Sequence, residues 1–108
     1  MPTSYKVLGQ ATAATSNTTL YTVPSATEAI ISTISVCNLS SSAATYRIAV
    51  RPDGASIANQ HYIVYGATVP ASDSTMLTVG LTLNASDVIT VFASASDVSF
   101  SAFGSEIA

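Results

Sequence analysis

The sequence predicts an all-β fold, a single-domain β-sandwich or jelly roll of about eight antiparallel strands. Segments rich in Val, Ile, Thr and Tyr alternate apolar and polar residues with a period of two, and none shows a helical period. Clusters of Pro, Gly, Asn, Asp and Ser separate these segments at intervals of roughly 8 to 14 residues. A length of 108 residues suits one domain, so residues 1–108 are expected to share one core.

Eight segments of the chain fit the strand pattern. They cover residues 5–10, 18–23, 28–38, 45–51, 60–65, 75–83, 88–93 and 98–103. The first is predicted to be an edge strand, because Lys6 interrupts its apolar residues and a charge there discourages pairing with other chains. Residues 1–4 are expected to precede it as an N-terminal arm, and the small polar residues 11–17 to follow it as a loop.

A corner between the second and third strands organises the rest of the prediction. Pro24 fixes its own φ and lacks an N–H, so it ends the pairing of the second strand, and Ser25 begins a hairpin-like corner. The third strand then alternates without interruption. One face is expected to carry Ile30, Ser32, Ile34 and Val36, and the other Ile31, Thr33, Ser35 and Cys37.

The fourth and fifth strands differ in their outward faces. The fourth alternates cleanly between apolar and polar residues and ends at the turn Pro52-Asp53-Gly54. The fifth, Gln60 to Tyr65, is bulky on both faces, which suits a strand whose outer face is also covered. Gly66 is expected to form a bulge or bend directly after it.

The last three strands complete the expected core. Turns at residues 70–73, 84–87 and 94–97 separate them from each other and from the fifth strand. The residues predicted to share the interior are Ile34, Val36, Ile48, Val50, Leu77, Val79, Ile89 and Val91.

Charge is scarce in this chain. Charged residues make up 8% of the sequence, against about a quarter in typical domains, and the formal net charge is -3. Nucleic acid is not expected as a partner, because neutralising phosphates takes several clustered cations and the chain has three basic residues. So few charges on an apolar chain indicate that part of the surface lies against other protein.

The sequence gives no sign of export or of a membrane. The first twenty residues lack the basic and then apolar pattern of a signal peptide, and no stretch reaches the length of a membrane span. Cys37 is the single cysteine, so no intrachain disulfide is expected. Within its apolar strand, Cys37 is predicted to be a small buried residue that resists thiol reagents.

No residue pattern predicts catalysis, a metal site or a cofactor. His61 is the single histidine, and its position beside a bulky strand favours packing or an interface over general-base catalysis. The G-x-S-x-G pattern of a nucleophile elbow does not occur. Four predicted loops each carry an aspartate, and these would bind calcium only if they converged; capping of local N–H groups is the favoured role. They are Asp53, Asp73, Asp87 and Asp97.

The tyrosines leave a sugar-binding role open. A flat exposed row of aromatic rings would suit a carbohydrate, but the chain has no Trp and the tyrosines at 21, 46, 62 and 65 fall in apolar strands. We therefore favour core or interface positions for them. His61, Tyr62 and Tyr65 are the predicted interface residues of a homo-oligomer, with a trimer favoured.

Three stretches of the chain carry a resemblance to a known group of proteins. They are L-Y-T-V-P-S-A-T-E-A-I-I-S-T-I-S-V-C-N, A-T-Y-R-I-A-V-R-P-D-G and L-N-A-S-D-V-I-T-V-F-A-S-A-S-D-V-S-F-S-A-F-G-S-E-I. Together they resemble small bacteriophage virion proteins with the loose pattern LYTVPAGT, an apolar strand, N, L-x-A-G-D-x-I-x-V and G-x-E-I, over about Leu20 to Ile107. The chain departs from this pattern at Ser25-Ala26 and at Ser86, which affects turns.

The resemblance implies a structural function in a virion assembled in the bacterial cytoplasm. The group is similar to capsid decoration (cement) proteins and to tail or baseplate accessory proteins, and it brings no catalytic residues. The expected partners are further copies of the chain and a major capsid protein or tail proteins. A decoration protein that stabilises capsomer contacts is our first expectation; a tail protein and a carbohydrate-binding adhesion module are the alternatives.

Overall fold

The computed structural model describes residues 3–13 and 15–108 and confirms the predicted all-β sandwich. Eight antiparallel strands form two four-stranded sheets. The strands are β1 (Thr3–Ala13), β2 (Thr18–Thr22), β3 (Glu28–Asn38), β4 (Ala44–Arg51), β5 (Tyr62–Val69), β6 (Ser74–Leu83), β7 (Val88–Ala93) and β8 (Val98–Ile107). Sheet A has the order β1-β8-β3-β6, and sheet B has the order β2-β7-β4-β5.

The N-terminal segment pairs for longer than the sequence predicts. Thr3 and Ser4 lie opposite Ile107 and Glu106, so the described part of the predicted arm belongs to β1. Residues 11–13 also continue the strand, where a loop was predicted. The prediction was wrong here because β8 runs on to Ile107 and offers a partner along its whole length; Met1, Pro2 and Ala14 lie outside the described residues. β1 is an edge strand, as predicted.

The corner after β2 passes from one sheet to the other. β2 belongs to sheet B and β3 to sheet A, so the two strands are not paired and the predicted hairpin is wrong. Val23 instead exchanges backbone hydrogen bonds with the turn between β6 and β7, donating to the Asp87 carbonyl and accepting from the Ser86 N–H, both at 3.0 Å. Ala26 has a φ of 55°, which lets the chain turn sharply between the sheets.

A β-bulge at Ser32 splits the predicted faces of β3. The register with both neighbours shifts between Ile31 and Thr33. Ile31 is therefore fully buried, as are Ile34 and Val36 further along, whereas Ile30 is 41% exposed on the outer face. The sequence prediction placed Ile30 with Ile34; an extra residue reverses the alternation, because side chains in a strand switch face at every residue.

Asn38 ends β3 inside the protein and connects two turns. Its side chain is 1% exposed. The Nδ2 group donates to the carbonyls of Ser42 at 2.8 Å, Pro70 at 3.2 Å and Val69 at 3.3 Å, and Oδ1 accepts from the Ser40 N–H at 3.0 Å. The buried amide therefore has hydrogen-bond partners for both its nitrogen and its oxygen, and it joins the β3–β4 turn to the β5–β6 turn.

The fifth strand begins two residues later than predicted and is an edge strand. Gln60 and His61 belong to a short 3-10 turn, and β5 runs from Tyr62 through Gly66 to Val69. Gly66 has a φ of 78° and is skipped in the pairing with β4, which confirms the predicted bulge. Nothing within one chain covers the outer face of β5 at Tyr65, which is 64% exposed.

The core lies between the two sheets and contains most of the predicted residues. Ile34, Val36, Ile48, Ile89 and Val91 are buried, while Val50, Leu77 and Val79 are partly buried and pack against them. Cys37 is half-buried on the outer face of sheet A, opposite Ser74 and Ser99, so the prediction of a buried thiol is wrong. The expected resistance to thiol reagents no longer follows from burial.

Candidate interaction site

Strand register places three side chains side by side on the outer face of sheet B. Arg47 in β4 lies opposite Tyr65 in β5 on one side and opposite Phe92 in β7 on the other. Directly opposed residues in antiparallel strands have their Cβ atoms about 5 Å apart, so their side chains meet. The pairing therefore dictates contact between one guanidinium and two aromatic rings.

The guanidinium of Arg47 lies over both rings. Its Cζ atom is 4.3 Å from the centroid of the Tyr65 ring and 4.5 Å from that of Phe92. Tyr62 packs edge-on against Tyr65, with ring centroids 4.9 Å apart. We call Arg47, Tyr62, Tyr65 and Phe92 the arginine–aromatic patch. Cation–π attraction and the packing of four side chains hold the guanidinium in a fixed position.

The other two basic side chains have internal partners. Lys6 pairs with Glu106, with 2.8 Å between Nζ and Oε1. Arg51 donates from Nε to Thr90 Oγ1 at 3.0 Å and from Nη1 to the Ala55 carbonyl at 3.1 Å. Within residues 3–13 and 15–108, Arg47 has neither a carboxylate partner nor a hydrogen-bond acceptor. Its N–H groups are thus the ones left for an external acceptor.

The predicted interface residues lie at different depths. His61 is 9% exposed. Its side-chain Nδ1 accepts from the Ala58 N–H, and its backbone N–H donates to the Ala58 carbonyl, each at 3.0 Å. These bonds fix the loop before β5, which is a packing role. Tyr62 is half-buried and Tyr65 exposed, and with Asn59 they line an open cavity of about 460 Å³. The structure thus brings Tyr62 and Tyr65 together on the surface and turns His61 inward.

Two of the four aspartates in the turns accept hydrogen bonds from backbone N–H groups. Asp87 accepts from the N–H groups of Asp53 and Asn84, and Asp73 accepts from the Ser74 N–H, all at 2.8 Å. In the described part of the chain, no group of three or more His, Cys, Asp or Glu side chains is arranged to hold a metal ion. Turn capping, as the sequence predicted, is the role seen for Asp73 and Asp87.

The outer face of sheet A is a second exposed surface, and it is nearly free of charge. The register of its four strands places six apolar side chains there among Ser, Thr, Gln and Cys. They are Tyr5, Val7, Ile30, Met76, Phe103 and Ile107, of which all but the half-buried Phe103 and Ile107 are exposed. Among the described outward residues of this sheet, Glu28 at the strand end bears a charge. We call this surface the neutral face.

One ionisable pair connects the two sheets at their open edge. The Tyr21 hydroxyl in sheet B donates to Glu106 in sheet A, which also pairs with Lys6. Hydrogen bonds from Lys6 and then Tyr21 lower the pKa of Glu106, outweighing its partial burial. Burial, reinforced by Glu106, raises the pKa of Tyr21. The carboxylate is therefore charged at neutral pH and holds both partners.

The arginine–aromatic patch has the chemistry to bind an anion. A stacked guanidinium presents its N–H donors at the edge of its plane, where they match the two oxygens of a carboxylate. Sequence reasoning missed Arg47 and Phe92. The outward position of Arg47 in β4 was visible, but the contact with Phe92 depends on a pairing between strands distant in the chain.

Comparisons of the chain with models of protein families, with curated proteins and with solved structures each found no match. In the residues that the structure describes, no helix has the length and apolarity needed to cross a membrane. The sequence resemblance and the two exposed surfaces therefore point to the function of the chain.

Proposed function

We propose that this chain is a non-enzymatic structural component of a bacteriophage virion, a capsid decoration (cement) protein that stabilises contacts between capsomers. The sequence resemblance over residues 20–107 supports a virion role. The neutral face is the observation that carries the proposal, because a broad surface without charge is poorly suited to water and well suited to another protein.

The neutral face is large enough for a specific contact. Its strands are 10 or 11 residues long. At about 3.3 Å per residue and about 4.8 Å between four strands, the face measures roughly 600 Å². A matching area on a partner brings the total to about 1,200 Å², the lower end of the range for stable complexes. The major capsid protein is the partner we assign to this face.

A homo-oligomer, with a trimer favoured, is part of the same proposal. Tyr62 and Tyr65 at the edge strand β5 offer the aromatic surface that anchors many interfaces. Closed rings are the usual form of soluble homo-oligomers, and a trimer fits a threefold or quasi-threefold position between capsomers. Light scattering at micromolar concentration tests this. A monodisperse monomer of 11.0 kDa that remains a monomer when capsids are added contradicts it.

Quantitative mass spectrometry of purified particles tests the location. Hundreds of copies per particle support the capsid role, whereas a few copies or about a dozen favour the alternative of a tail or baseplate protein. Binding of variants to capsids that lack the protein tests the neutral face. Ile30→Glu should abolish binding, because it buries a charge in the contact, while Leu39→Glu in the exposed β3–β4 turn should bind normally. Equal binding of both variants contradicts the assignment of this face.

A carbohydrate-binding adhesion module is the second candidate. Exposed Tyr65 beside the cavity lined by Asn59 and Tyr62 is the observation that favours it, since aromatic rings and amides are common in sugar sites. Tyr21 and Tyr46 are buried, and Tyr62 meets Tyr65 edge-on, so the flat row required for stacking on an extended glycan is not formed. A glycan array without hits removes this candidate.

A further inference from the structure

We propose that Arg47 is a carboxylate-binding site, built to receive an Asp or Glu side chain with an adjoining apolar group from a protein partner. The inference is independent of the virion role, because it depends on the arginine–aromatic patch alone. Three features support the inference: the free donors of Arg47, its fixed position and the cavity next to Tyr65.

The first argument is the contrast among the three basic side chains. Lys6 and Arg51 have acceptors inside the protein, whereas Arg47 has none among the described residues. A half-buried guanidinium without an acceptor keeps all five N–H donors available and gains a charge-assisted hydrogen bond from any carboxylate that reaches it. The chain has thus committed two of its three cations to its own fold and left the third for contact.

The second argument is preorganisation. Rings on both sides hold Arg47 at 4.3 and 4.5 Å, so little side-chain entropy remains to be lost when a ligand binds. A free surface arginine pays that cost at binding, which is one reason why exposed ion pairs contribute little. The stack also favours two parallel hydrogen bonds to one carboxylate, since it fixes the guanidinium plane.

The third feature is the cavity next to Tyr65. Tyr65 contacts Arg47 and also lines this cavity, together with Tyr62 and Asn59. An apolar group placed there would cover the tyrosine rings while the carboxylate bonds to Arg47. A polyphosphate ligand fits less well, because a single available cation in a chain of net charge -3 gives weak attraction for many negative charges.

Nuclear magnetic resonance on the whole protein tests the site with simple probes. Phenylacetate carries a carboxylate and an apolar ring, and phenylacetamide is its neutral match. We expect phenylacetate at constant ionic strength to shift the Arg47 Nε–H signal saturably, with the Arg51 signal as the internal control. Equal shifts from phenylacetamide, equal shifts at Arg51, or tighter binding of inorganic phosphate would each overturn the proposal.

Matched variants distinguish the effect of the planar guanidinium donors on binding from the effect of charge alone. Arg47→Lys keeps the charge but loses the planar donors, and we expect it to weaken phenylacetate binding about tenfold, followed on the ring protons of Tyr62 and Tyr65. Leu39→Ala, in the exposed β3–β4 turn and outside the patch, is the control and should bind like the wild type. Unchanged affinity in Arg47→Lys, with its backbone spectrum showing a folded protein, would contradict the proposed geometry.

A dilution series of the protein without added ligand identifies the source of the carboxylate. If a second copy supplies it, the Arg47 Nε–H signal moves with protein concentration and Arg47→Lys shifts the oligomer towards monomer. If the signal does not depend on concentration while phenylacetate still binds, the carboxylate belongs to a different protein. Both outcomes leave the site in place, and neither depends on where in a virion the chain resides.

Discussion

The bulge in β3 makes a sharp prediction about two adjacent isoleucines. Ile31 is fully buried and Ile30 is 41% exposed, although unbroken alternation would place Ile30 with the buried Ile34. Replacing Ile31 by Ala removes three buried carbons, about 2.4 kcal/mol of transfer free energy at about 0.8 kcal/mol each. The cavity left behind raises the cost into the range of about 2 to 5 kcal/mol.

Ile30→Ala should cost much less. Scaling the same transfer free energy by the covered part of the side chain gives at most about 1.4 kcal/mol, and no closed cavity forms on the outer face. Urea melts at pH 7 measure both variants, with the fully buried Ile48→Ala as a positive control. Repeating the melts at two protein concentrations detects any contribution from contacts between copies at the neutral face.

The opposite ranking would refute the reasoning. If Ile30→Ala destabilises the protein by as much as Ile48→Ala at both concentrations, and Ile31→Ala costs less than about 1 kcal/mol, then the strand alternates without a bulge. The neutral face would lose Ile30 in that case, and the surface argument built on it would need revision. Equal m-values across the variants are the check that the change lies in the folded state.

Three further perturbations test the packing. Asn38→Ala should cost about 2 to 3 kcal/mol in urea melts, because it removes a buried amide that bonds to the backbone of two turns. Ser42→Ala, whose side chain forms no hydrogen bond, should cost little, and equal costs contradict this. Glu106→Gln should lower the melting temperature by more at pH 7 than at pH 3. The pKa of Glu106 lies below its ordinary value of 4.5. Its contribution to the free energy of unfolding is therefore present above pH 4.5 and is lost as the pH falls through the lowered pKa. A difference in melting temperature that does not depend on pH would contradict this. Gly104→Ala should cost about 3 kcal/mol or more, since its Cβ would overlap the Ile30 carbonyl. Gly66→Ala meets no atom within 4 Å and should cost about 1 to 2 kcal/mol for its positive φ. A reversed order of the two costs would show that the close approach of Gly104 to Ile30 is not the constraint.

Local patterns in the sequence were sufficient to predict most of the fold. The bounds of β3 and β7 match the predicted ranges, because β-branched runs between turn residues have few other uses. The faces of β3 beyond Ser32 and the length of β1 could not be predicted in the same way. A bulge depends on how neighbouring strands pair, and the extension of β1 depends on the partner it finds in β8.

The candidate site was likewise predicted only in part, because local patterns indicate some of its residues and strand pairing determines the others. Tyr62 and Tyr65 were predicted as interface residues from the aromatic bulk of a strand that is bulky on both faces, and the structure places both in β5 at the edge of sheet B. His61 was grouped with them because it is adjacent in sequence, but its hydrogen bonds to Ala58 turn it inward. Arg47 needed the pairing of three strands to be recognised, and such non-local register is not encoded in any single segment.

The segment after β4 limits where partners can bind. It folds over one end of sheet B, where Arg51 bonds to Ala55 and to Thr90, and it leaves Ala49 and Thr90 covered although both point outward. The exposed contact surfaces are then the arginine–aromatic patch and the neutral face. They differ in physical character, since one depends on a single charge and the other on apolar area.

This difference gives the two surfaces opposite responses to salt. A contact through the neutral face should persist from about 0.15 M to about 1 M sodium chloride, because burial of apolar area involves no screened charge. A contact through Arg47 is partly exposed, and the Debye length falls from about 8 Å to about 3 Å over that range, so its dissociation constant should rise. Binding of capsids and of phenylacetate, each measured at both salt concentrations, should therefore diverge. If capsid binding weakens with salt as much as phenylacetate binding does, and Arg47→Lys weakens it further, then the capsid contact runs through the arginine–aromatic patch and the assignment of the neutral face is wrong.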